Sequence, residues 1–183
     1  MVQLSERPGV KRITSLQDKF IYEVGAMYDA ENRFLEAQQV MWQSCQNDQL
    51  KSLIETHIRE TEQQIRNLEQ VFSTLGQQPQ RVTCDAAAGV ISDGQKLMLL
   101  AADNHTILDL GLAGGQSKVE HFEIACYRGL IKGAEQMGQK EVVQLLQQNL
   151  QQEEQTAQRI EQIIPQLLQK AQTGNGRTTK TSR

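Results

Sequence analysis

The sequence predicts an all-α protein, a four-helix bundle of two antiparallel hairpins joined by a long crossover that carries a short extra helix. Three observations carry this. The 183 residues include only thirteen Gly and three Pro, the latter at 8, 79 and 165, so little interrupts a helix. Ala, Leu, Glu, Gln, Lys and Arg dominate, and all favour helix. Apolar residues recur with a spacing near 3.6 through four long stretches, and no alternating strand pattern or long repeat appears.

The elements follow in order. Residues 1–13 read as a flexible arm. Thr14 or Ser15 caps a helix over about 15–45, with Asp18 in its first turn and Phe20, Val24, Met27, Leu35 and Met41 on its stripe. Asn47 or Asp48 restarts the chain, and Leu50, Ile54, Ile58, Ile65, Leu68 and Phe72 mark a second helix ending near Gly76. The stretch "GQQPQRVTCDAAAG" reads as a loop by its Gly and Pro, and a shorter helical segment follows over about 85–103. A third long helix opens near Asn104 or Thr106 and closes at Gly138, a residue suited to a left-handed C-terminal cap. The fourth covers 139–171, with a kink or an early end expected at Pro165. The bundle is thus placed at 14–171, with a disordered basic tail at 172–183. The first and last connections are short, so each joins an antiparallel pair; the middle one is long enough to cross the bundle. That connectivity is the ferritin-like form of the four-helix bundle.

Charge and composition exclude several function classes. A net charge of −3 and a pI near 5.7 argue against phosphate neutralisation, so no nucleic-acid partner is expected. No apolar run is long enough to span a membrane, and "MVQLSERPGVKR" lacks the apolar core of a signal peptide. Cys45, Cys84 and Cys126 are odd in number and widely spaced, which fits reduced thiols in a cytoplasm better than a disulfide framework. There is no G-x-G-x-x-G, no P-loop and no C-x-x-C.

What remains is a set of acids where core residues belong. Glu31, Glu123 and Glu153 each sit at core phase on a different helix stripe, and Glu120 lies one turn before Glu123. His57 and Glu60, three apart, lie on one side of the second helix. Each of these carboxylates is near the midpoint of its helix. At ~1.5 Å rise per residue they form a layer only several Å thick. Several kcal/mol oppose burial of even one unpaired carboxylate, and like charges nearby add to it. Two divalent ions, or two trivalent ones after oxidation, nearly offset five carboxylates. Carboxylate oxygen with imidazole nitrogen suits iron first, with manganese or zinc as alternatives. Tyr28 and Tyr127, each about a turn from a proposed ligand, are candidate hydrogen-bond partners of the ligand carboxylates, or simply core tyrosines. His121, about 100° round from Glu120, is a supporting or interface residue as readily as a ligand. Asp93 and His105 read as surface residues.

The motifs "YDAENRFLEA", "HIRETEQQIRNLEQVF", "CDAAAGVISDG" and "KVEHFEIACYRGL" resemble the YciF-type ferritin-like bacterial stress proteins, collinearly over about 14–165. The resemblance implies a ferritin-like bundle, a homodimer and a rubrerythrin-like metal site. It carries the family's acidic positions onto Glu31, Glu60, Glu120, Glu123 and Glu153, with His57 and His121. Gln152 stands where family members often carry an acid, and Ala157 where they carry Asp. Relative to better-known di-iron proteins, His57 precedes its Glu, and Thr156 occupies the place of an expected second His. The expected function is a dinuclear iron or manganese carboxylate protein that oxidises ferrous iron or reduces dioxygen or peroxide under stress. The alternative is a non-enzymatic dimeric interaction module with a structural or vestigial metal site.

Overall fold

The computed structural model describes residues 12–174. These form five helices, and no strand occurs among the described residues: α1 Leu16–Ser44, α2 Asp48–Thr74, α3 Asp85–Leu100, α4 His105–Gln136 and α5 Lys140–Gly174. Residues 1–11 of the arm and 175–183 of the basic tail expected from the sequence lie outside the described residues.

Local chemistry sets the helix ends. Ser15, Asn47 and Asn104 each turn a side-chain oxygen to a first-turn N–H, that of Asp18, Leu50 and Ile107 respectively, at 3.0, 3.0 and 3.2 Å. Gly76 and Gly138 adopt φ of 67° and 69°, where a side chain would be strained. Each closes a Schellman turn: Gln77 N–H donates to Phe72 O at 2.9 Å, and Gln139 N–H to Ala134 O at 3.0 Å. Pro165 does not end α5, which continues to Gly174. The carbonyl that loses its N–H donor belongs to Glu161, an exposed residue, so water is at hand to replace it.

α1 pairs with α2 and α4 with α5, while α2 packs on α5 and α1 on α4, closing the ring of four. One end of the bundle holds Phe20, Val24, Phe72, Leu130 and Leu146. The other holds Cys45, Leu50, Leu108, Ile160 and Leu167. α2 therefore ends where α4 ends, and the crossover between them must return along the bundle. It does so against α1: Val82 N–H donates to Gly25 O at 3.0 Å. A Cβ at Gly25 would stand 2.8 Å from Val82 Cγ2, so only glycine lets the strand of chain lie this close. α3 then rests on Phe34 and Val119 and buries only Ala87 fully. No helix among the described residues is long and apolar enough to cross a membrane.

Candidate metal centre

Between the two apolar ends lies a polar layer. Glu31 comes from α1, His57 from α2, Glu120 and Glu123 from α4, and Glu153 from α5; none is more than 1 % exposed. One ligand atom from each of His57, Glu120, Glu123 and Glu153 falls within 4.8 Å of all the others. His57 Nε2 is 3.1 Å from Glu120 Oε1 and 3.8 Å from Glu153 Oε2. The four come together because each lies on the stripe that also carries the apolar core, at mid-height.

The hydrogen bonds sort the atoms of this layer. Gln116 Nε2 donates to Glu120 Oε1 at 2.6 Å, Gln64 donates to Glu153 Oε1, and the Tyr127 hydroxyl donates to Glu31 Oε1. In each of these acids Oε2 is buried and has no hydrogen-bond partner. Neither oxygen of Glu123 receives a donor from outside the acidic layer, and His57 Nε2, 3.1 Å from Glu120 Oε1, makes no well-aligned hydrogen bond. Each of the three pinned acids is thus held by one oxygen and offers the other. Asn149 Nδ2 donates to the Tyr127 oxygen at 2.9 Å, so the single phenolic proton is committed to Glu31. Asn67 Nδ2 donates to Asn149 Oδ1 at 2.7 Å and fixes the amide in turn.

Electrostatics follow from this geometry. Burial raises Glu31 to about 8 despite the Tyr127 hydrogen bond. Burial, then the charge of its carboxylate neighbours, pushes Glu123 and Glu153 well above the ordinary range. Burial opposes charge on His57, but Glu120 and Glu153 together hold its pKa well above the usual value. Burial also raises Glu120, yet His57 and the bonds it accepts bring it below the ordinary value. Without a cation the layer must retain protons. Buried polar atoms left without partners are rare in folded proteins, and here six ligand-type atoms share one small volume. The donor set, carboxylate oxygens with one imidazole, fits iron, manganese or zinc and does not require thiolate.

Three other residues singled out from the sequence are placed elsewhere. Glu60 lies at the edge of the layer: Oε2 is 3.4 Å from His57 Nδ1 and accepts from Thr156 Oγ1 at 3.1 Å, and Oε1 is 3.6 Å from Arg159. It orients the imidazole from behind, and Thr156, at the place of an expected second His, serves Glu60 instead. The Tyr28 hydroxyl donates to Glu69 at 2.9 Å, away from the cluster, because Tyr28 packs edge-on against Phe72. His121 is an exposed residue with Nδ1 at 2.8 Å from Ser117 O and Nε2 at 3.7 Å from Glu161. Asp93 and His105 are exposed, as the sequence suggests. The residues that sequence reasoning missed are the amides Gln64, Gln116 and Asn149. Their positions on the buried stripes were the available signal, obscured by the many Gln on outer faces.

Comparison with known proteins supports the architecture. Protein YciF of Escherichia coli (strain K12) is 29 % identical over 143 residues, which make up 78 % of this chain and 86 % of that protein. The crystal structure of the E. coli stress protein YciF matches with a TM-score of 0.81 at 26 % identity, covering 86 % of this chain and 99 % of that one. YcfI of Rhodopseudomonas palustris, described as a candidate structural protein, matches with a TM-score of 0.78 at 31 % identity, covering 82 % and 96 % of the two chains. Residues 15–173 match the family model described as "Domain of unknown function (DUF892)". By this match, with YciF among its relatives, the chain belongs to the DUF892 family.

Proposed function

We propose that the protein binds a dinuclear iron or manganese centre in the polar layer and uses it to oxidise ferrous iron or to reduce dioxygen or peroxide under stress. The observation that carries this reading is the set of buried, partnerless ligand atoms on Glu31, His57, Glu120, Glu123 and Glu153. Held by Glu31, His57, Glu120, Glu123 and Glu153, a redox-active ion would supply the electrons that reduce the oxidant. The chain's own part is to bind and orient. Glu60 fixes the imidazole so that Nε2 faces inward, and Gln64, Gln116 and Tyr127 each fix one oxygen of a carboxylate so that the other is free. The surrounding bundle keeps the layer away from bulk solvent. Glu31, Glu123 and Glu153, poised to hold protons, release them as a cation enters. Cys45, Cys84 and Cys126 are free thiols, which suits the reducing cytoplasm we assign.

The test is metal analysis of the purified protein, followed by ferrous oxidation with dioxygen and with peroxide. Bound iron or manganese and a rate abolished by Glu123→Ala are expected. No bindable metal, or a rate indifferent to that substitution, ends the proposal.

A second reading has its own support. Leu99 and Leu100 at the end of α3 are 79 % and 86 % exposed, an apolar tip that suits contact with another protein, including a second copy. In that case the protein is a dimeric interaction module and any metal is structural. Unchanged dimerisation and folding after full metal removal would favour it.

A further inference from the structure

We infer that the centre is unequal: one ion is held tightly by His57, Glu120, Glu153 and one oxygen of Glu123, and a second, weaker one by Glu31 and the other oxygen of Glu123. This deepens the metal reading above and rests on it.

The asymmetry is a matter of donors. The four residues of the first position converge within 4.8 Å from α2, α4 and α5, and that group does not include Glu31. Glu31 reaches in from α1 and sits against Glu123. Glu123 alone among the acids has both oxygens buried without a partner, so it can face both positions. Once His57 Nε2, Glu120 Oε2, Glu153 Oε2 and one Glu123 oxygen are committed, Glu31 Oε2 and the other Glu123 oxygen remain. The obvious additions are already engaged. Glu60 is occupied by His57 Nδ1, Thr156 and Arg159. α5 presents Glu153 and then Thr156 at the spacing where α2 presents His57 and Glu60, so it brings no imidazole.

The chemistry of the two positions therefore differs. Three carboxylates and an imidazole suit a borderline transition ion, whereas two carboxylate oxygens completed by water suit a hard, exchangeable divalent ion. Loss of even an outer partner weakens metal binding about 10- to 100-fold, so two missing ligands should separate the affinities by at least about 100-fold.

Cobalt(II) is a suitable probe, since it binds oxygen and nitrogen ligands and absorbs in the visible. The metal-free full-length protein is titrated and followed by calorimetry and absorption. Two steps are expected, the first at least about 100-fold tighter. Glu31→Gln, of matched size, should remove the second step and leave the first affinity within about threefold, while His57→Ala should weaken the first by at least about tenfold. The isotherm of the unmodified protein decides the matter even if a variant folds poorly. Two equivalents bound with equal affinity overturn the inference. So does a stoichiometry of one up to millimolar cobalt, or a Glu31→Gln effect as large on the first step as on the second. No cobalt uptake at all instead overturns the metal reading itself, so the two failures are distinguishable.

Discussion

Asp29 and Glu31 stand two residues apart on α1, are both buried, and behave oppositely. Asp29 accepts from Arg33 Nε at 2.6 Å, Arg81 Nε at 2.8 Å and the Cys84 backbone N–H at 2.9 Å. Burial pushes its carboxyl up, but these donors outweigh burial and hold it below the ordinary value. Glu31 has one donor, the Tyr127 hydroxyl, and rises to about 8. Desolvation acts far more strongly on Glu31, at the centre of the bundle, than on Asp29, beside two partly exposed arginines; depth and charged donors together decide which acid stays charged. Asp29 is a completed structural anion that ties the crossover to α1. Glu31 belongs to a layer left incomplete, and an incomplete anionic layer in the middle of a bundle asks for a cation.

The largest separation between the two should be in metal affinity. Glu123→Gln, which keeps the shape of the layer, should weaken binding of the first ion at least about 10-fold, and Asp29→Asn should leave it unchanged, by calorimetry. An equal effect would mean that the substitutions act through folding alone. Next in size is the stability of the metal-free protein. Asp29→Asn turns an amide N–H toward two guanidinium groups and should lower stability by about 2 kcal/mol in urea denaturation. Glu123→Gln replaces a buried, proton-holding carboxyl by a neutral amide of the same shape and should leave stability unchanged or raise it by about 1 kcal/mol. The same sign for both would break the contrast.

The pH dependence should follow from the acid that is raised. Folded Glu31 keeps its proton to about 8, whereas the unfolded chain releases it near 4.5. Across that window the folded state binds more protons, so metal-free stability should fall as pH rises. The raised His57 adds to the fall at its upper end. Saturating metal should abolish this fall, because the cation displaces those protons and the folded state no longer binds more of them than the unfolded chain; an unchanged slope with metal would place the ion elsewhere. The smallest effect belongs to the surface. Glu154→Gln removes a 2.7 Å ion pair with Arg128 between exposed groups and should change stability by less than about 0.5 kcal/mol.

The sequence made the helix ends legible, because Ser15, Asn47, Asn104, Gly76 and Gly138 act locally, through bonds to residues within a turn or so. Glu31, Glu123 and Glu153 were legible as acids at apolar phase, which is again a periodic signal. Glu60 and Tyr28 were less so. Periodicity places a side chain on a face but not toward a particular neighbour, and Glu60 turns to Thr156, which is 96 residues away. Asp29 gave no signal at all, since a charged residue beside a stripe is ordinarily solvated and its partner Arg81 lies 52 residues further on. At Pro165 the early end, one of the two expected outcomes, does not occur: α5 runs on to Gly174, and packed residues on both sides, Ile163 and Leu167, hold the helix together.

Between the two apolar ends of the bundle lies the polar layer, flanked by Ala30, Phe34 and Val119, and that has a mechanical consequence. If the layer binds ions as proposed, the metal-free molecule is two greasy caps joined by a protonated seam short of hydrogen-bond partners, and calorimetry should show a broadened or divided melting transition. Cations at the seam would suture the caps, so that the whole bundle melts as one unit.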